Sequence, residues 1–203
     1  MLKAVLVSQS LHGTELRCAG GWVRDKLLGK ESHDIDIALN NMMGEDFAAH
    51  VNEHLTSRSE DLGKIAVFKR NPEQSKHLQT ARMKVGSLEL DLVNLRSETY
   101  TDSRIPTQAF GTPEEDALRR DFTINSLFYN ITTNEVEDWT GRGQEDLQSG
   151  LIRTPLPASE TFMDDPLRVL RAVRFAARFG FTLDEELQAA AASPQLLLKG
   201  SSF

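Results

Sequence analysis

Between Leu16 and Leu39 the chain reads as an apolar strand, LRCA, that breaks at Gly20-Gly21, continues as a short helix, and returns as DIDIAL. Residues two apart on a strand face the same side, so Asp34 and Asp36 present their carboxylates together. Two like charges on one face repel and are costly to desolvate, and a fold keeps them mainly where a cation sits between. The second strand is therefore expected at the border of a cleft.

Hard oxygen ligands of this kind suit Mg²⁺, which in turn holds phosphate oxygens. A lone D-x-D is most often a solvent-facing strand, and a Gly pair at a strand end is most often a tight turn. The combination here is more specific. Gly20 and Gly21 allow the backbone to approach a phosphate closely, and Arg24, in the run GGWVRD, is placed to neutralise it. A third acid is available in SLELDLVNLR, where Glu89 and Asp91 lie opposite Leu88, Leu90 and Leu92. Either reaches the cation if this strand neighbours the first. Asp91 is the preferred candidate, although a polar outer face accounts for both acids almost as well.

Phe47, Val51 and Leu55 recur at helical spacing over residues 45–55. IAVFKR and SLELDLVNLR read as two strands joined by residues 71–86. Residues 96–113, polar and with two prolines, read as a mobile loop. A helix is expected from Glu114 to Tyr129, with Pro113 at its start. On that helix Asp121 and Asn125 share a face beside Arg120. The trio suits a phosphate and a ribose, and suits an ordinary surface ion pair equally. The tract VEDWTGRGQEDLQSG reads as a turn-rich connector, and residues 154–163 separate it from a helical tail with a second helix from Asp184. Strands and helices alternate first and helices alone follow, so the expected fold class is an α/β domain over residues 1–153 followed by a partial all-α unit over 154–203.

The tail holds the densest signal, DDPLRVLRAVRFAARF. Asp165 and Pro166 mark a helix start. Arg168, Arg171, Arg174 and Arg178 then fall within a roughly 120° arc, with Leu170, Val173 and Ala177 on another side and no acid from Leu167 through Leu183. Such a face calls for an anion, either a polyphosphate or a nucleic-acid backbone. Asp165 and Arg168, three apart, offer an acceptor beside a planar donor fork, which suits a base edge. The net charge of −7 excludes a protein coated in positive charge, but binding follows the local field. No apolar run approaches the ~20 residues needed to cross a bilayer, so no membrane is expected as a partner. The single cysteine, Cys18, excludes an internal disulfide and a multi-thiolate zinc site, and reads as a small buried residue entering a strand.

GGWVRD with DID, RRDFTINSLF, EDWTGRGQEDL and DDPLRVLRAVRF resemble, in order and spacing, the class II tRNA nucleotidyltransferases, the CCA-adding relatives of bacterial-type poly(A) polymerases. The likeness runs from about Leu16 to about Ser193 and is nearest the plant and fungal members. It implies a nucleotidyltransferase head followed by a helical neck, and template-independent addition of CMP and AMP to the tRNA 3′ end. The implied partners are tRNA, CTP and ATP, and the implied cofactor is Mg²⁺ on Asp34 and Asp36, with Asp91 as the candidate third carboxylate. Gly20, Gly21, Arg24, Arg120, Asp121 and Asn125 would hold the nucleotide. Asp165 and Arg168 would read its Watson–Crick edge, and Arg171 and Arg174 would contact the triphosphate or brace the pocket. The family's further helical motif and its tRNA-holding domains have no counterpart here, so the chain is expected to be C-terminally truncated. The rival readings are a poly(A)-adding relative and a nucleotide-binding product without turnover. The expected location is intracellular: cytoplasm, with mitochondrion and nucleus as further compartments.

Overall fold

The computed structural model describes residues 1–58, 80–86, 88–100 and 106–196. Its frame is a six-stranded mixed sheet in the order β3-β4-β2-β1-β7-β8. The strands are β1 (Leu16–Ala19), β2 (Ile35–Leu39), β3 (Ala81–Val85), β4 (Leu88–Asn94), β7 (Phe128–Asn130) and β8 (Glu135–Glu137). Only β2 and β4 run parallel, with Asp36 directly opposite Asp91.

Strand alternation divides the sheet into two faces. Leu16, Cys18, Ile35, Ile37, Leu39, Met83, Leu90 and Leu92 point into the main core, where helix α3 (Gly44–Ser57) supplies Phe47, Ala48, Val51 and Leu55. Helix α1 (Leu2–Ser8) closes this side with Val5 and Leu6. Cys18 is buried among them, and burial pushes its thiol up to about 12, so it stays protonated and inert. The opposite face carries a smaller apolar patch of Ala19, Ala38, Leu95, Ala117 and Phe128, with Val93 against it. Asp36 and Asp91 stand on this second face, beside the patch.

Several local expectations give way to tertiary context. Residues 81–85, expected as connector, form β3, while IAVFKR lies outside the described residues. Within 96–113, expected as loop, Arg96–Thr99 (β5) and Thr107–Phe110 (β6) pair as an antiparallel ladder. The helix expected through Tyr129 is α4, Pro113–Leu118, with a full capping box at Thr112 and Glu115. It stops because Asp121 takes the Phe122 N–H on its own carboxylate, an alternative to the helical bond. Phe122 then turns into the core against Phe175, Thr123–Asn125 makes a single 3₁₀ turn, and Phe128–Asn130 is claimed by the sheet as β7. The supposed connector holds β8 and helix α5 (Gly143–Ser149).

From β9 (Leu151–Ile152) onward the chain is mainly helical: α6 (Ala158–Asp164), α7 (Leu167–Phe179) and α8 (Glu185–Ala191). The short β10 (Thr182–Leu183) runs parallel to β9. Residues 154–163, expected as a spacer, thus contain most of α6. Pro166 occupies the cap of α7 rather than its first turn, and Asp165 Oδ1 accepts the Leu167 N–H at 3.1 Å. The arginine row of α7 is split by burial: Arg168 is buried with Ala172 and Phe175, Arg174 and Arg178 are exposed, and Leu170 and Val173 on another side are 68% and 56% exposed.

Candidate functional site

A cavity of about 990 Å³ lies between the second sheet face and α7. On the sheet wall stand Asp34, Asp36 and Asp91, and α7 opposes them with Arg168, Arg171 and Phe175. Asp36 is half-buried and makes no hydrogen bond or ion pair with a described residue. Burial, then the charge of Asp34, raises its carboxyl above the usual carboxylate range, with a smaller push from Asp91. The fold therefore holds two unneutralised acids together, which is the donor chemistry a hard divalent cation relieves. Asp91 differs, because Arg82 grips it with two bonds of 2.6 and 2.8 Å. Glu89, on the same face, lies away from this cavity. Among the described residues no three His, Cys, Asp or Glu side chains form a closed metal cage, so phosphate oxygens or water must complete any ion's shell.

The glycine turn sits beside the acids. Gly20 has φ +66° and ψ −121°, a backbone region open to glycine, and it leads straight into helix α2 (Gly21–Leu27). A Cβ there would lie 2.5 Å from Arg120 Nη1, so Gly20 shapes the site without lining it. Arg24 is buried, donates to Asp25 Oδ1 at 2.8 Å and to Asn125 Oδ1, and lies over the Phe175 and Phe179 rings. Asn125 Nδ2 in turn donates to Asp121 Oδ1 at 2.9 Å. Asp121 and Asn125 are thus joined as the sequence suggests, but by the 3₁₀ turn and not by a continuous helix.

The arginines divide by partner. Arg171 donates to Asp121 Oδ2 from Nε and Nη2, at 2.8 and 2.5 Å, so the anion it needs is supplied from within the chain. Arg168 is buried, and its Nη2 donates to the Arg119 carbonyl at 2.8 Å and the Tyr100 hydroxyl at 3.2 Å. Its side chain makes no direct bond to Asp165, although both line the cavity. Arg174 and Arg178 are exposed, lie against Phe175 and Phe179, and do not line it. Arg153 pairs with Asp146 and Asp184, away from the cluster.

Residues absent from the sequence reading complete the wall: Arg82, Arg96, Glu98, Tyr100, Asp116 and Arg119. Asp116 is 1% exposed and accepts the Arg96 N–H, both Arg119 Nη2 bonds and Arg120 Nε. Burial pushes its carboxyl up, but Arg120 and Arg119 outweigh that and hold it below the usual range. The available signal was the acid pattern of GTPEEDALRR, which places Asp116 three and four residues before the two arginines.

The family model described as the Poly A polymerase head domain matches residues 16–153. The CCA tRNA nucleotidyltransferase, mitochondrial, of Saccharomyces cerevisiae is 59% identical over 186 residues, covering 89% of this chain and 34% of that one. Poly(A) polymerase I of Salmonella typhi is 34% identical over 193 residues, covering 90% and 38%. The solved apo form of a CCA-adding enzyme superimposes with a TM-score of 0.79 at 29% identity, over 98% of this chain and 44% of that one. The chain spans little more than a third of the length of these curated relatives. Among the described residues no helix is long and apolar enough to cross a membrane. With the matched segment covering over half of its length and the sheet superimposing on a solved relative, the chain belongs to the poly(A) polymerase head-domain family of nucleotidyltransferases.

Proposed function

We propose that this chain carries the nucleotidyl-transfer site of a CCA-adding enzyme and adds CMP and AMP to the 3′ end of tRNA. The supporting observation is that unneutralised acids and a set of arginines face each other across one cavity. The much higher identity to the yeast CCA enzyme than to the poly(A) polymerase favours C, C and A over A alone. On this reading residues 1–153 are the head and the neck begins at 154.

Asp34 and Asp36 would hold Mg²⁺, with Asp91 beside them as a third acid steered by Arg82. Bound there, the ion would supply Lewis-acid chemistry to the attacking hydroxyl and to the leaving group. The Gly21 N–H, presented by the Gly20 turn, and Arg24 and Arg120 hold the triphosphate, with Arg171 and the outlying Arg174 behind them. Asp121 and Asn125 face the ribose. The tRNA 3′ oxygen bonds to the α-phosphorus, the bond to the bridging oxygen of the β-phosphate breaks, pyrophosphate leaves, and the hydroxyl proton passes to water. Asp165 and Arg168 contact the base edge and select C and A. The yeast relative's name places that protein in the mitochondrion, and the same compartment is proposed here, to be checked by fluorescent tagging in the source cell.

The test is incubation with tRNA ending before CCA, with CTP and ATP separately and together. Incorporation of C, then A, is expected. Addition of A alone to any 3′ end would replace this reading with poly(A) synthesis. Pyrophosphate release that persists in Asp36→Ala would remove the assigned site.

A further inference from the structure

The four arginines of α7 are not equivalent, and the difference lies in what holds Arg168. A guanidinium Nη2 carries two N–H donors, and here both are committed: one to the Arg119 carbonyl at 2.8 Å, the other to the Tyr100 hydroxyl at 3.2 Å. Tyr100 follows β5. It accepts from Arg168 and donates its own proton to Glu98 Oε2 at 3.1 Å. Burial, then the nearby Glu98 charge, pushes the phenol up to about 12, so it keeps that proton at neutral pH. Glu98 is anchored in turn by Arg119 Nη1 at 3.1 Å and Gln108 Nε2 at 3.2 Å. The Tyr100 ring also lies 5.9 Å from the Arg168 guanidinium carbon, so it restrains the fork by face as well as by hydroxyl.

With Nη2 spent on the protein, Nε and Nη1 are the donors left for the cavity. Donor direction matters for a base edge. The ring nitrogen at the centre of the Watson–Crick edge is a bare acceptor in cytosine and adenine and an N–H in uracil and guanine. A cationic donor aimed there favours C and A and rejects U and G, but only while its direction is fixed.

We infer that Tyr100 is the positioning residue for nucleobase choice: its hydroxyl holds Arg168 in the one orientation that presents donors to the base. This rests on the reading that Arg168 contacts the base. Tyr100 acts on base choice through its bonds to Arg168, so its loss alters selection between bases and leaves the grip on the triphosphate intact.

The experiment is calorimetric titration of the full chain with CTP, ATP, UTP and GTP in Mg²⁺, comparing the unaltered protein with Tyr100→Phe, Arg168→Ala and Arg168→Lys. Tyr100→Phe keeps the ring and removes one neutral hydrogen-bonding group, so the preference for CTP over UTP should fall about three- to tenfold. CTP and ATP should weaken while UTP and GTP hardly change, and the melting midpoint should stay near that of the unaltered protein. Arg168→Ala should abolish the preference, and Arg168→Lys, which keeps charge without the fork, should not restore it. If Arg168→Ala abolishes selection but Tyr100→Phe keeps it, or weakens all four nucleotides alike, the role of Tyr100 is overturned and base reading by Arg168 stands. If the unaltered chain does not discriminate, or Arg168→Ala weakens all four equally, base reading fails and the inference fails with it.

Discussion

Gly20→Ala should be among the most damaging single-methyl additions to this chain. Its backbone, at φ +66° and ψ −121°, lies where an L side chain is strained, at a cost of about 1–3 kcal/mol. The new Cβ would also stand 2.5 Å from Arg120 Nη1 and 3.2 Å from the Asn125 carbonyl. Arg120 cannot simply swing aside, because Asp116 holds it at 2.8 Å and its Nη1 donates to that same carbonyl. Losing this charged hydrogen bond costs about 1.5–3 kcal/mol more. The sum, about 2.5–6 kcal/mol, is a large part of the stability of an ordinary domain. Gly21→Ala is the control, since its Cβ meets only the end of the Arg24 side chain at 3.4 Å, and it should stay within about 1 kcal/mol of the parent. Urea unfolding of both variants gives the comparison. A double-mutant cycle with Arg120→Ala then separates backbone strain from clash. In that background Gly20→Ala should cost only the backbone part. Equal effects of Gly20→Ala and Gly21→Ala, or strict additivity with Arg120→Ala, would refute the reasoning.

Two further outcomes follow from the charges. The Asp36 carboxyl is raised in the folded protein, so its ionisation opposes folding, and stability is lost as pH rises through that raised value. Asp36→Asn in chelator at neutral pH should therefore melt at the same temperature or higher while transfer falls by orders of magnitude, and a clear drop in melting temperature would show the acid to be structural. Asp116 is the opposite case: its carboxyl is depressed, so its contribution is complete above the ordinary carboxylate range and lost as pH falls through the lower folded value. Asp116→Asn should destabilise by about 3–5 kcal/mol by stranding buried guanidinia and should flatten the acid limb of a stability–pH profile, whereas an unchanged acid limb would assign that limb to other groups.

The parts legible in the sequence are those where side-chain spacing and backbone geometry coincide. Asp34 and Asp36, the Gly20 turn and the arginine row of α7 depend on periods of two and 3.6, and these survive folding. What escaped the reading depends on partners distant in sequence. Phe128–Asn130 looks helical in isolation and is a strand because β1 offers it a ladder. Tyr100 and Glu98 sit in a polar stretch with no periodic signal, and they matter because Arg119 and Arg168 come to them. In sequence the arginine row is one basic face awaiting one anion, yet in the fold Asp121 already neutralises Arg171 and the protein backbone already engages Arg168. Charge counts along a helix do not reveal which acids arrive from elsewhere.

The sheet order has a consequence for how the molecule comes into being. The strand that carries the glycine turn lies between β2, which follows closely, and β7, whose Tyr129 pairs with Cys18 from far along the sequence. Arg24 meets Asn125 across 101 residues of sequence, and Asp121 waits a further 50 for Arg171. Closing loops of this length is entropically costly, and folds dominated by such pairings assemble slowly. A nascent chain emerging from the ribosome thus exposes its acids long before any of the α7 arginines exist. On the proposed function, a nucleotide bridging the sheet acids and the α7 arginines adds stability only once α7 has docked.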